Sequence, residues 1–564
     1  MTLRFSDDMV IIPKNIRADF QKIDLFRKEN RLLLREFLFF FMAAIGAYLS
    51  IIFSRYPHTE DYVRNVIGYS CGTNGRVVTA VLEELLYFSN LVFDMSPFNQ
   101  VLSCAVLAYV AVVLKKIFSS EKDGRFQLWC FLPAAVTPYL AGNMFFKFDN
   151  IYMMLAILST VMAAYFTINN TDNAKNKIFF QILLLFCGLL LYQAALSAYF
   201  IICIYVALIK MTDGEKTILG GLLEMKGWGI TMLLTAIMYF PLVLSPYMEY
   251  PTHHHLSWTE IVSLKRVLLI CKKYAIYLHN FIDYWKQDFI YNVFFGLIIL
   301  FSLSFVYGIF KNGNNIVPKV LATGVLLSLW LISPYGIIPF TAFLDRDYRI
   351  PTRVLGCIGI WTSLIFHRIY LLFQGRKILF ASCRVFLIIF SLHNMMLLNS
   401  VGNAAHSSNA LLCRIIFDIS NDVDALTKNN CGDNKKKNDV WRSSVLCDSL
   451  LSLESTHLIK TYQVFDNIDV FWQVSYAAMW AHFNRDIFSG LVANPGAESE
   501  ILAIKPADKK LVKSANYYKI YDASGASKNP VMLAEINGSD TGDIIKLHFF
   551  QIFHCRAGET SNIK

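Results

Sequence analysis

Two adjacent carboxylates, Glu60 and Asp61, sit in the stretch RYPHTEDYVRNVIGYSCGTNGR, which runs from Arg55 to Arg76. A carboxylate at a membrane–water boundary acts as a general base when partial burial favours its protonated form and it faces a substrate hydroxyl. Arg64 follows Asp61 by three residues, which puts both on one face if the segment is helical. Its guanidinium suits a phosphate, which it grips with two parallel hydrogen bonds. Gly72 and Gly75 permit a tight turn that returns Arg76 toward the acidic pair. Read alone, the same stretch also fits a solvated loop whose charges pair among themselves.

Two further clusters change that weighting. NMFFKFDNIYMM places Lys147 and Asp149 at a sharp reversal between two apolar runs, and FLDRDYRIPTR carries Asp345, Arg346, Asp347, Arg349 and Arg353. A charge pair at a hairpin mouth snorkels at little cost, and it also suits an anionic lipid headgroup. Tyr192 and Gln193, at another turn, suit a sugar hydroxyl as well as they suit interfacial anchoring. Ionisable groups gathered at a membrane boundary mark a functional site.

The elements that must position these residues are apolar. The chain has 564 residues, 55% hydrophobic and only 17% charged, where a soluble domain carries about 25% charged residues. Its apolar residues fall in runs of about the ~20 residues that cross a bilayer as a helix. We expect eleven spans, near 36–54, 98–117, 127–146, 151–168, 178–192, 195–211, 226–245, 290–310, 318–339, 354–373 and 378–398. Lys115, Lys116, Lys122, Arg125, Lys175, Lys177, Lys210, Lys216, Lys311, Lys319, Arg376 and Lys377 then all fall on one side, together with a basic amphipathic segment at 1–35. The bias of Lys and Arg toward cytoplasmic loops makes that side cytoplasmic. The opposite face receives the loops 55–97 and 247–289 and a polar tail, 399–564. The net charge of +10 follows from these loops and from a need for cations near phosphates, without invoking nucleic acid.

The tail mixes helical-looking NALLCRIIFDISNDVDALTK with strand-like YYKIYDAS, VMLAEING and IIKLHFFQIF, so we expect a small α/β or α+β domain there. Cys413, Cys431, Cys447 and Cys555 in the tail allow one or two disulfides or four free thiols. The run His253, His254, His255 lacks partners at ligand spacing, and no metal site is expected. No phosphate-cradling Gly loop and no hydrolase elbow is present, which argues against a soluble nucleotide donor. No cofactor is expected.

The acidic pair, the following Arg and the Gly-Arg after the first span (Glu60, Asp61, Arg64, Gly68, Gly75, Arg76) resemble the GT-C type bacterial O-antigen glucosyltransferases of the "glucosyl transferase II" family. KFDN at 147–150 resembles that family's second acidic motif. The resemblance implies an all-α polytopic GT-C-like membrane enzyme of about 11 transmembrane helices, resident in the bacterial inner membrane. Such an enzyme moves glucose from undecaprenyl-phosphate glucose to an O-antigen repeat sugar of lipopolysaccharide at the periplasmic face, and it converts serotype. It implies Asp61 as the base, with Glu60 and Asp149 as the other carboxylates. Arg64, Arg76, Lys147, Arg346, Arg349 and Arg353 would face the donor phosphate, and Tyr192 and Gln193 the acceptor. The transfer would invert the anomeric centre without a metal.

Other classes fit less well. A transporter for lipid-linked sugars needs ionisable residues deep inside its spans; here they gather at one face. An O-antigen polymerase would carry Arg-rich loops without an acidic pair after the first span. A scaffold presenting the tail leaves three charged loops unexplained, and another lipid-phosphate-sugar transferase stays the nearest alternative.

Overall fold

The computed structural model describes residues 28–54, 76–87, 94–118, 127–168, 174–212, 218–243, 285–311, 316–336 and 352–430. It also describes isolated positions between 272 and 283 and five strands in the tail. The helices, in chain order, are α1 (Lys28–Phe53), α2 (Val77–Tyr87), α3 (Phe98–Phe118), α4 (Asn150–Ile168), α5 (Ala174–Leu191) and α6 (Leu196–Thr212), followed by α7 (Ile218–Val243), α8 (Phe289–Lys311), α9 (Ile316–Ile332), α10 (Ile358–Phe373) and α11 (Lys377–Asn430).

Among the described residues, six helical stretches are long and apolar enough to cross a membrane: Arg31–Phe53, Phe98–Phe118, Asn150–Ile168, Gln193–Thr212, Phe289–Phe310 and Lys377–Ser407. Four more are apolar but shorter: Ile178–Leu191, Gly227–Tyr239, Lys319–Tyr335 and Ile358–Phe373. The described residues therefore show a mostly helical membrane protein, but not eleven full spans. The largest departure is the expected span at 127–146. It breaks into a short helix, Leu128–Phe131, two 3-10 turns, Leu132–Ala134 and Pro138–Leu140, and a last short helix, Ala141–Phe145. Pro133 and Pro138 supply no backbone donor to a continuous helix, and Thr137 between them is extended. The Thr137 carbonyl accepts from the Leu140 amide at 3.1 Å and from the Tyr48 hydroxyl at 3.3 Å. Residues 130–146 are all buried, so this broken backbone is enclosed by protein rather than lipid, the condition under which it is tolerated.

Lipid is as apolar as a leucine core, so helix association rests on close packing and a few polar links. Lys115 near the end of α3 pairs with Glu36 near the start of α1 at 2.6 Å, which fixes the two as antiparallel. Trp330 of α9 stacks between Phe301 of α8 (4.5 Å) and Trp361 of α10 (4.9 Å). Gly402 of α11 crosses α1 so closely that a Cβ there would lie 2.6 Å from the Ile51 nitrogen. Asn399 strengthens the same crossing by donating to the Gly46 carbonyl at 2.9 Å.

α11 runs unbroken through 398/399, where the tail was expected to begin, and continues to Asn430. Beyond it the described strands β1 (Trp441–Leu446), β2 (Lys510–Ser514), β3 (Tyr518–Asp522), β4 (Val531–Asn537) and β5 (His548–Cys555) form an antiparallel sheet in the order β1-β5-β4-β3-β2. The rest of the expected tail domain lies outside the described residues, as do residues 1–27 and His253, His254 and His255.

Candidate functional site

The site begins at the N-termini of three helices. α3 and α4 run parallel, because Asn99 at the start of α3 donates to the Lys147 carbonyl (2.9 Å) just ahead of α4. Both therefore start at the end of the bundle opposite Lys115 and Glu36. Asp149 caps the first turn of α4: its carbonyl accepts from the Met153 amide at 3.0 Å. A carboxylate at this position meets the positive end of the helix dipole.

Arg76, immediately before α2, donates from Nη1 to Asp149 Oδ2 at 2.9 Å. The Asp149 side chain is 2% exposed, and the guanidinium compensates its buried charge. The same guanidinium carbon lies over the Tyr192 ring, 5.3 Å from its centroid, a cation–π contact. Tyr192 and Gln193 form the turn between α5 and α6, and Gln193 Nε2 donates to the Tyr239 hydroxyl of α7 at 2.8 Å. Thr79 of α2 donates to the Leu191 carbonyl at 3.3 Å and pins α2 against this turn.

The first two charged loops thus meet through Arg76 and Asp149, although 73 residues separate them. The third reaches the same place by backbone: the turn Thr352–Leu355 packs against the turn Gln193–Ala195. The side chain of Arg353 within that turn is not described. Lys147 turns to Asp94, with 3.4 Å between Nζ and Oδ2, rather than to its near neighbour Asp149. Glu60, Asp61, Arg64, Arg346 and Arg349 lie outside the described residues.

Two residues without an assigned role in the sequence reading belong here. Asn150 follows Asp149, is fully buried, and both of its amide atoms lack a hydrogen-bond partner among the described residues. A buried amide left in that state costs about 1–3 kcal/mol, which suits a group reserved for a ligand. Glu83 of α2 is 1% exposed. The signal for Glu83 was its spacing: Arg76, Thr79 and Glu83 share one helical face, which the structure turns inward. Among the described residues no group of three or more His, Cys, Asp or Glu is placed to hold a metal ion.

A cation paired with a buried carboxylate, one residue from a buried amide that has no hydrogen-bond partner among the described residues, is equipped to bind an anionic group and to orient a hydroxyl. The family model for glucosyl transferase GtrII matches residues 46–360, more than half of the chain, and that interval contains every part of this arrangement. No curated protein and no solved structure matches the chain. The chain is a member of the GtrII glucosyl transferase family, and so a glycosyltransferase built into a membrane-spanning helical bundle.

Proposed function

We propose that this protein transfers glucose from undecaprenyl-phosphate glucose to a sugar of an O-antigen repeat, on a GT-C-like scaffold at the periplasmic face of the bacterial inner membrane. The observation that carries the reading is the Arg76–Asp149 pair on Tyr192, set at the helix starts where the lipid headgroup of such a donor would lie. Arg76, with Arg64, Lys147, Arg346, Arg349 and Arg353, binds the donor phosphate and takes up the charge that develops as it leaves. Because Asp149 is engaged by Arg76, it serves to hold that cation, and Asp61, with Glu60 beside it, acts as the base. The acceptor hydroxyl gives its proton to Asp61. Its oxygen forms a bond to the anomeric carbon as the carbon–phosphate-oxygen bond breaks, and the lipid phosphate departs with that electron pair. A single displacement inverts the centre, so a β-linked donor gives an α-linked product. Tyr192 and Gln193 line the acceptor side. No metal is needed, because cationic side chains carry the phosphate charge.

Mass spectrometry of O-antigen repeats from cells producing the wild type, Asp61→Asn or neither tests this. The expected result is a hexose-sized gain with the wild type alone, with the variant still present in the membrane. No gain in a host that supplies the donor and a matching repeat overturns the reading. A gain retained in Asp61→Asn transfers the base to Glu60 or Asp149.

A further inference from the structure

Two ion pairs sit at the charged end, and they are built differently. Arg76 and Asp149 meet at 2.9 Å, with side chains 16% and 2% exposed. Lys147 and Asp94 meet at 3.4 Å, with side chains 14% and 27% exposed. The first pair is short and closed in, and breaking it leaves a buried charge. The second is long and more open on its carboxylate side, the kind of pair that contributes little and separates at little cost. Its cation is also the more adaptable one, a point charge on a flexible stem where Arg is a planar fork. The groups around the second pair are held without it. Asp94 Oδ1 accepts from the Ser96 amide at 2.8 Å, in a local turn just ahead of α3. Ser96 Oγ accepts from Gln100 Nε2 of α3 at 3.1 Å. The Lys147 carbonyl accepts from Asn99 of α3 at 2.9 Å. The backbones on both sides are therefore anchored, and the Lys147 ammonium can change partner without moving them.

We propose that Asp94 is the phosphate's competitor for Lys147. Lys147 leaves Asp94 for the phosphate of the lipid donor, and it returns to Asp94 as the spent lipid phosphate departs. The proposal rests on the donor class given above and adds a positioning residue, Asp94, and a task, product release. The chemistry sets that task. The donor is a phosphodiester with a single negative charge, whereas the product is a monoester that carries about 1.5–2 negative charges at neutral pH. Cations gathered to bind the donor therefore hold the product more tightly still. A carboxylate that competes for one of those cations from within the protein brings that affinity down. The Arg76–Asp149 pair cannot serve in this way, because Asp149 is buried and loses its compensation when Arg76 leaves. Asp94 is the more exposed carboxylate and stays hydrated when Lys147 moves away.

The test measures binding of a sugar-free, short-chain polyprenyl phosphate to the full chain in nanodiscs, for the wild type, Asp94→Asn, Lys147→Ala and the double variant. Asp94→Asn removes the charge and keeps an oxygen for the Ser96 amide. It is expected to tighten binding about two- to fivefold. Lys147→Ala is expected to weaken it about tenfold or more. In the Lys147→Ala background Asp94→Asn is expected to change nothing, because the competitor has lost what it competed for. Weaker or unchanged binding in Asp94→Asn overturns the proposal. A gain of the same size without Lys147 also overturns it and leaves Asp94 as one charge in the general field. Asp94→Ser, which likewise keeps an acceptor, replaces Asp94→Asn in the cycle if that variant is not monodisperse. The same cycle with inorganic phosphate separates the two sources of this chemistry: coupling with inorganic phosphate alone overturns the lipid-phosphate role. Coupling with polyprenyl phosphate but no sugar transfer in the O-antigen assay keeps the exchange and removes the glucosyl donor proposed above. Sugar transfer without coupling overturns the exchange and leaves that reading standing.

Discussion

Removing the Arg76 side chain offers the sharpest check on the site. Arg76→Ala takes from Asp149, a carboxylate whose side chain is 2% exposed, the guanidinium that pairs with it at 2.9 Å. Deleting one member of a buried pair costs about 3–5 kcal/mol, because the remaining charge stays desolvated. The lost seat on Tyr192 adds about 0.5–2 kcal/mol. At about 2 °C per kcal/mol, the low end of the scale that suits large proteins, the pair alone corresponds to a fall of about 6–10 °C in apparent Tm. Asp149→Asn in the same background removes the buried charge that Arg76 no longer compensates. The double variant is therefore expected to be more stable than Arg76→Ala and to regain at least half of the lost Tm, although neither transfers sugar. The assay is differential scanning fluorimetry of the wild type, both single variants and the double variant in one detergent. Losses that simply add refute the reasoning, because residues in contact must couple.

Two other perturbations follow from the fold. Gly402→Leu places a side chain where even a Cβ would meet the Ile51 nitrogen at 2.6 Å and the Ser50 carbonyl carbon at 2.7 Å. Helix backbones cannot give way as a flexible side chain does, so α11 must part from α1 at a cost of about 1–3 kcal/mol or more, read as lower apparent Tm and lower yield in the membrane. The second concerns pH. Burial pushes the Asp288 carboxyl up from its ordinary 3.8, but the 2.6 Å bond to His393 and the amides of Tyr291 and Ile290 outweigh it and leave the group lowered. A lowered carboxylate contributes its full stability above 3.8 and loses it as pH falls through the folded value. Asp288→Asn is therefore expected to lower stability near neutral pH and to flatten the acid limb of a stability–pH curve; an unchanged acid limb contradicts this role.

The extent to which the sequence could be read differs between elements. α1, α3, α4, α6, α8 and α11 were visible because a lipid-facing helix must be apolar over about ~20 residues, a local property of the chain. The helical text of NALLCRIIFDISNDVDALTK was visible for the same reason, but not its fusion with the last apolar run into one helix ending at Asn430. Hydropathy could not show the break at 127–146. Every residue from 130 to 146 is buried by protein, so apolar composition there reports enclosure, not a continuous span. Pro133 and Pro138 were the only local hint.

The same division holds at the site. The sequence by itself set the chemical inventory, carboxylates and guanidinium groups in short loops between apolar runs, and with it the family. That inventory depends on side-chain type and on position relative to the spans, both written along the chain. Only the tertiary structure joined Arg76 to Asp149 across 73 residues, set the guanidinium over Tyr192, turned Glu83 inward and left Asn150 buried without a partner among the described residues. Those properties belong to the packing of α2, α4 and the α5–α6 turn against one another, and a carboxylate's partner and solvation are set by neighbours in space that no stretch of sequence contains.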